Sequence, residues 1–247
     1  VKPVRDLNRR SIYSRNWWQH GGPPPTMRSF TNVLSRYLGT PRVAKHRLFA
    51  WLTNEILPTD AVVAFARSDD YFFGVLHSPL HEVWALKLGT RLETRPRYTP
   101  TTCFETFPFP TPTPGQETAI ATAAKELNEL RERWLNPPQW TREEILEFPG
   151  SVGGPWDRYI DPATVDPATE IGLVRYPRLV ARDESSAALL KKRTLTNLYN
   201  DRPAWLNLAH RKLDETVFAA YGWPPDLSDE DILARLLELN LAAASLG

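Results

Sequence analysis

Proline governs what this chain can fold into. The sequence holds 23 prolines against 12 glycines. A proline ring carries no N–H and clashes with the preceding turn of a helix, so long helices are possible only where proline is absent. Six prolines, Pro96, Pro100, Pro108, Pro110, Pro112 and Pro114, crowd one short stretch. Residues 89–114 carry no period and read as a strand followed by a long proline-pinned loop. Loops longer than about 12 to 15 residues in a compact domain are usually functional or disordered. The aromatics Tyr98, Phe104, Phe107 and Phe109, with Trp84 nearby, argue against disorder here.

Around that loop the elements fall in a mixed order. Residues 1–26 combine arginines with Trp17, Trp18 and His20 and end at Gly21-Gly22-Pro23-Pro24-Pro25, a short helix or an extended arm, and a second short helix opens at Thr26-Met27-Arg28. Residues 36–40 and 43–52 look like strands separated by Pro41, and residues 61–66 like a buried strand without alternation. Ser68-Asp69-Asp70 is a cap signal for a helix over residues 71–88, kinked or broken at Pro79. Helical spacing returns over 116–135 (Ile120, Ala123, Leu127, Leu130, Trp134) and stops at Asn136-Pro137-Pro138. Residues 141–180, rich in glycine and proline, read as an irregular connector or lid. Three helices close the chain over 184–199, 203–221 and 228–244, the last opened by a capping box at Ser228-Asp229-Glu230-Asp231.

At 247 residues the chain can bury a proper core as one large or two modest domains. No apolar run approaches the roughly 18 to 20 residues of a membrane span, and the single cysteine, Cys103, fits an intracellular, cytoplasmic setting. The net charge of +1 conceals an asymmetry. Residues 1–110 hold 15 Lys+Arg and 8 Asp+Glu, giving +7; residues 111–247 hold 15 and 21, giving −6. Arginine supplies most of the first excess, and its planar fork suits phosphate and guanine edges. A nucleic-acid partner for the first half is the hypothesis this raises.

The chemistry of common enzymes is missing. The sequence has no glycine-rich cofactor loop, phosphate loop, His-Glu-x-x-His or nucleophile elbow. His77 and His81 share a helical face but lack a third metal ligand. Asn136-Pro137-Pro138-Gln139 approaches the Asn/Asp-Pro-Pro-aromatic segment of amino-methyltransferases, yet Gln139 stands where the aromatic ring is needed and the segment ends a helix; it reads as a helix stop. Glu93-x-Arg95-x-Arg97 is more informative. In an extended segment these side chains line one face at steps of about 6.6 Å, and Arg reads guanine bidentately while Glu accepts from cytosine.

The run Arg97-Tyr98-Thr99-Pro100-Thr101-Thr102-Cys103-Phe104-Glu105-Thr106-Phe107-Pro108-Phe109-Pro110 resembles a segment of the MmeI-like (type IIL) restriction–modification proteins and their stand-alone DNA methyltransferase relatives. Thr40-Pro41-Arg42-Val43-Ala44-Lys45-His46-Arg47, Thr194-Leu195-Thr196-Asn197-Leu198-Tyr199 and Leu213-Asp214-Glu215-Thr216-Val217-Phe218-Ala219-Ala220-Tyr221-Gly222-Trp223 resemble further segments of that family, in the same order. The resemblance implies a bacterial polypeptide joining an adenine-N6 methyltransferase that uses S-adenosylmethionine, a target-recognition domain and a helical C-terminal part. This chain resembles the last two.

The expectation is therefore an α+β protein. Residues 1–112 form a mixed α/β target-recognition domain, and residues 113–247 a mainly α-helical part containing the irregular connector 141–180. The module recognises double-stranded DNA, is non-catalytic and holds no cofactor by itself. Its partners are DNA and the methyltransferase domain of the same polypeptide, from which the absent initiator Met suggests it was cut. Glu93, Arg95 and Arg97, with Asp60 and Ala61, are the implied base readers; Arg42, Lys45 and Arg47 contact phosphate; Tyr98, Phe104, Phe107 and Phe109 either pin the loop or support a flipped base. The alternative is a protein–protein interaction scaffold that binds through its acidic helical tail.

Overall fold

A computed structural model describes residues 33–92 and 95–245 of the chain. The architecture is α+β. Three strands, β1 (Arg36–Pro41), β2 (Ala50–Thr53) and β3 (Val62–Phe65), form an antiparallel sheet in the order β2-β1-β3. The central strand buries Tyr37, Leu38 and Thr40 completely. On β3 only Val63 and Phe65 are buried while Val62 and Ala64 are half-buried, so the expected uniformly buried strand is corrected to an alternating one, because β3 lies at the sheet edge. Residues 43–49 do not extend β2 either. There the chain turns inward to seat Arg47, which donates to Thr40 Oγ1 and Pro41 O.

The cap signal after β3 operates as read. Asp69 accepts from the Phe72 backbone N–H at 2.9 Å and opens α1 (Asp70–Leu76). Pro79 breaks the helix outright. Ser78, whose hydroxyl donates to Val75 O at 2.7 Å, separates α1 from α2 (Pro79–Leu88). Beyond it come the hairpin strands β4 (Thr90–Leu92) and β5 (Arg95–Arg97), the single turn α3 (Pro100–Cys103), and the long α4 (Pro114–Leu135). Thr113 and Gln116 close a capping box at the start of α4, and Asn136 ends it.

Residues 141–180 are not irregular throughout: the segments on either side of 152–170 are regular. They form the strands β6 (Thr141–Ser151) and β7 (Ile171–Ala181), an antiparallel ribbon paired in register from Thr141↔Ala181 to Ser151↔Ile171. Most of the ribbon faces water on both sides, so the sequence lacks the apolar alternation of a half-buried strand. Cross-strand ion pairs take its place: Arg178 meets Glu144 at 2.8 Å and Arg175 meets Glu147 at 3.1 Å. Pro149 and Pro177 belong to the pairs Pro149↔Leu173 and Ile145↔Pro177, the same phase of the ladder. At that phase a strand N–H points away from its partner, so the missing donors break no rung.

The expected helix over 184–199 is two helices, α5 (Glu184–Leu190) and α6 (Leu195–Asp201), because Thr194 starts the second by capping Asn197 N–H at 3.2 Å. Helices α7 (Ala204–Tyr221) and α8 (Asp229–Ala244) follow. One apolar core joins Leu38, Phe49, Phe65, Phe72 and Phe73 to Ile120, Leu127, Leu198, Leu213 and Leu236. It includes residues on both sides of residue 112. α1 and α4 approach closely at Gly74, where a Cβ would stand 2.8 Å from Ile120 and 2.9 Å from Ala124.

Candidate nucleic-acid interface

At one end of β1 three separate segments lie side by side. Arg42 N–H donates to Ala61 O at 2.8 Å, and the Arg42 guanidinium donates to Asp60 O. On the other side of the same segment, Tyr98 N–H donates to Arg42 O at 2.7 Å, Ala44 N–H donates to Pro96 O at 3.4 Å, and Val43 bridges Arg97. Arg42, Asp60, Ala61, Arg95 and Arg97 are thus brought to one edge of the fold. Asp60, Ala61, Arg95 and Arg97 are exposed there and Arg42 is half-buried. Two residues apart in β5, Arg95 and Arg97 point to the same face. Glu93 lies outside the described residues.

The hairpin is held from beneath by an aromatic layer. Tyr98 is buried and its hydroxyl lies 3.0 Å from His81 Nε2. His81 Nδ1 is 3.1 Å from Leu76 O, so Nδ1 carries the proton and Nε2 accepts from Tyr98. Burial pushes the His81 pKa down to about 3 and raises that of Tyr98, so both are neutral at ordinary pH. Phe107 meets the His81 ring edge-on at 5.0 Å, Phe104 meets Phe65 at 4.8 Å, and Phe109 stacks on Phe72 at 5.5 Å. Tyr98 and Phe107 are buried in this layer and Phe104 and Phe109 are half-buried against it, so all four rings help to pin the loop. His81, which shares a helical face with His77, is the support of the hairpin. Its place on the apolar stripe with Leu80 and Trp84 was the available signal.

The phosphate candidates divide. Arg47 is 7% exposed, its guanidinium donates to Thr40 Oγ1, Pro41 O and Pro96 O, and it lies 5.0 Å from the Tyr98 ring centre. Desolvation lowers its pKa, and the side chain ties the hairpin to β1 instead of facing solvent. Lys45 remains exposed, with its ammonium donating to Asn200 Oδ1 at the end of α6. Gly89 joins α2 to the hairpin at a point where a Cβ would stand 2.6 Å from Ala85 O and 2.8 Å from Arg97 O. Backbone atoms cannot step aside cheaply, so Gly89→Ala is expected to destabilise the fold by about 1–3 kcal/mol in urea melts. A wild-type midpoint would disprove that close approach.

Among the described residues no group of three or more His, Cys, Asp or Glu side chains could hold a metal, and no helix is long and apolar enough to cross a membrane. His77 has a different task. Its Nε2 accepts from Arg131 Nη1 at 2.9 Å and from Phe49 N–H at 3.2 Å, and its Nδ1–H donates to Phe73 O.

Residues 45–111, which contain this edge from Lys45 to the end of the aromatic loop, match the family model described as MmeI, target recognition domain. The chain carries an MmeI-type target recognition domain. Over 171 residues it is 36% identical to DNA methyltransferase A of Bacillus subtilis (strain 168), a match covering 68% of this chain and 13% of that protein. The fold resembles that of the Type IIL restriction–modification enzyme MmeI, solved in complex with DNA, with a TM-score of 0.62 at 19% identity over 99% of this chain and 26% of MmeI. The chain thus spans a small part of either relative. Of the convergent arginines, Arg95 and Arg97 belong to the matched stretch and Arg42 lies three residues before it.

Proposed function

We propose that this chain is the sequence-specific duplex-DNA recognition module of a restriction–modification DNA methyltransferase. The supporting observation is the convergence of Arg95, Arg97, Arg42, Asp60 and Ala61 on one exposed edge of a target recognition domain, backed by a packed aromatic layer. Arg95 and Arg97 read base edges in the major groove, with Glu93 completing the set and Asp60 and Ala61 flanking it. Arg42 and Lys45 contact phosphates, which fix register without carrying sequence. The module is non-catalytic. Adenine-N6 methylation belongs to a methyltransferase domain of the same cytoplasmic polypeptide, which binds S-adenosylmethionine and flips the base that this module selects.

Filter binding to a pool of random duplexes tests the reading. With the two phosphate contacts from Arg42 and Lys45, affinity should fall roughly 12-fold between 50 and 200 mM salt. Salt-insensitive or absent binding would sink it and favour the protein–protein scaffold.

A further inference from the structure

The acidic character of residues 111–247 is uneven. Between Glu184 and Asp201 there is no carboxylate side chain, and Lys191, Lys192 and Arg193 stand together in the turn between α5 and α6. This turn is fixed rather than loose. Arg193 donates to Trp134 O at 2.9 Å, and its guanidinium lies 4.4 Å from the ring centre of Trp134 and 4.6 Å from that of Trp140. Asn197 Nδ2 donates to Lys192 O at 2.8 Å. With Arg193 held down as the anchor, Lys191 and Lys192 are exposed.

At its other end α6 meets the recognition domain. Asn200 Oδ1 accepts from Lys45 Nζ and lies 2.9 Å from His46 Nε2, and the His46 and Tyr199 rings are 6.1 Å apart. From its cap Thr194 to Asn200, α6 rises about 9 Å along the axis at 1.5 Å per residue. Duplex DNA advances 3.4 Å per phosphate on each strand, so this length corresponds to about three base-pair steps. Lysine is a compact point charge on a flexible stem, suited to backbone phosphate rather than base edges.

We propose that the Lys191–Lys192 turn is a second phosphate-contacting site, carrying the DNA-facing surface from Lys45 along α6 onto the helical part of the protein. The inference rests on the DNA-recognition reading and deepens it: the helical part is a second arm of the grip on the duplex backbone, outside the recognised sequence.

The test compares the full chain with the double variant K191A/K192A and with a charge-matched control, K125A/K212A. The control lysines are exposed and lie on α4 and α7, paired with Glu129 and Glu126. The probe is a random-sequence duplex of about 30 base pairs, titrated over a salt series. K191A/K192A should lower the slope of log affinity against log salt by about 1.8, or 0.9 per phosphate contact, and weaken binding at 0.1 M salt at least roughly tenfold. The control should follow the wild type, and all three proteins should melt together. A wild-type slope in K191A/K192A, or an equal change in the control, overturns the second site and leaves the recognition reading standing. A flat salt response in the wild type overturns both.

Discussion

Arg131→Ala is expected to cost about 3–5 kcal/mol of stability, lowering the thermal midpoint by roughly 10 °C in a chain of this size. Arg131 is 1% exposed and among the largest fully buried side chains of the described residues. Its guanidinium donates to His77 Nε2 and Phe49 O, each at 2.9 Å, and lies near the rings of Phe73 and Tyr199. Truncation leaves a hole and strips two buried acceptors at once. Burial and the Arg131 charge together hold the His77 pKa well below its usual value, so the imidazole stays neutral and able to accept. Lysine keeps the charge but offers a single point in place of a fork. Arg131→Lys should therefore fall between alanine and wild type. Equilibrium urea melts decide the matter, and an alanine variant within about 1 kcal/mol of wild type would refute the clamp.

Arg95→Ala and Arg97→Ala should each remove a different base from the recognised sequence while leaving the fold intact. Loss of a bidentate Arg–guanine contact costs about 1–3 kcal/mol of discrimination, roughly 5- to 150-fold at one position. The readout is the consensus recovered when each variant is selected against a random duplex pool and the bound DNA is sequenced. Both side chains are exposed on a three-residue strand whose support, Tyr98 on His81, lies beneath them, so stability should hold. Arg42→Ala should behave differently, weakening all sequences alike and flattening the salt response, as a phosphate contact does. A consensus unchanged in both Arg95→Ala and Arg97→Ala would move base reading elsewhere on the edge.

Arg131 illustrates why the core was only partly legible. Apolar spacing over 116–135 selects Ile120, Ala123, Leu127, Leu130 and Trp134, whereas the fully buried line of α4 is Ile120, Ala123, Ala124, Leu127 and Arg131. Leu130 and Trp134 sit beside it, half-buried. A charged residue on the innermost line is invisible to any hydrophobic pattern. It becomes explicable only when His77 and Phe49, distant in sequence, supply its acceptors. The β6–β7 ribbon is hard to read for the converse reason: apart from Val174 and the Phe148–Tyr176 aromatic cluster it buries little, and its Glu–Arg pairs resemble an ordinary charged loop.

Local chemistry settled much in advance. Asp69 and Ser228 cap the helices their neighbours announce, Pro79 splits α1 from α2, and the aromatic residues of the proline-rich loop are ordered. Each of these outcomes depends on groups a few residues apart, or on a ring that cannot adopt a helical interior. The fates of the arginines were decided only in three dimensions. Arg42, Arg47, Arg95 and Arg97 are alike in composition and charge, yet Arg47 is enclosed by carbonyls of β1 and β5 while Arg95 and Arg97 reach solvent. An arginine is buried when long-range packing brings enough acceptors around its fork to replace water, and that assembly exists only once β1, β3 and the hairpin have come together.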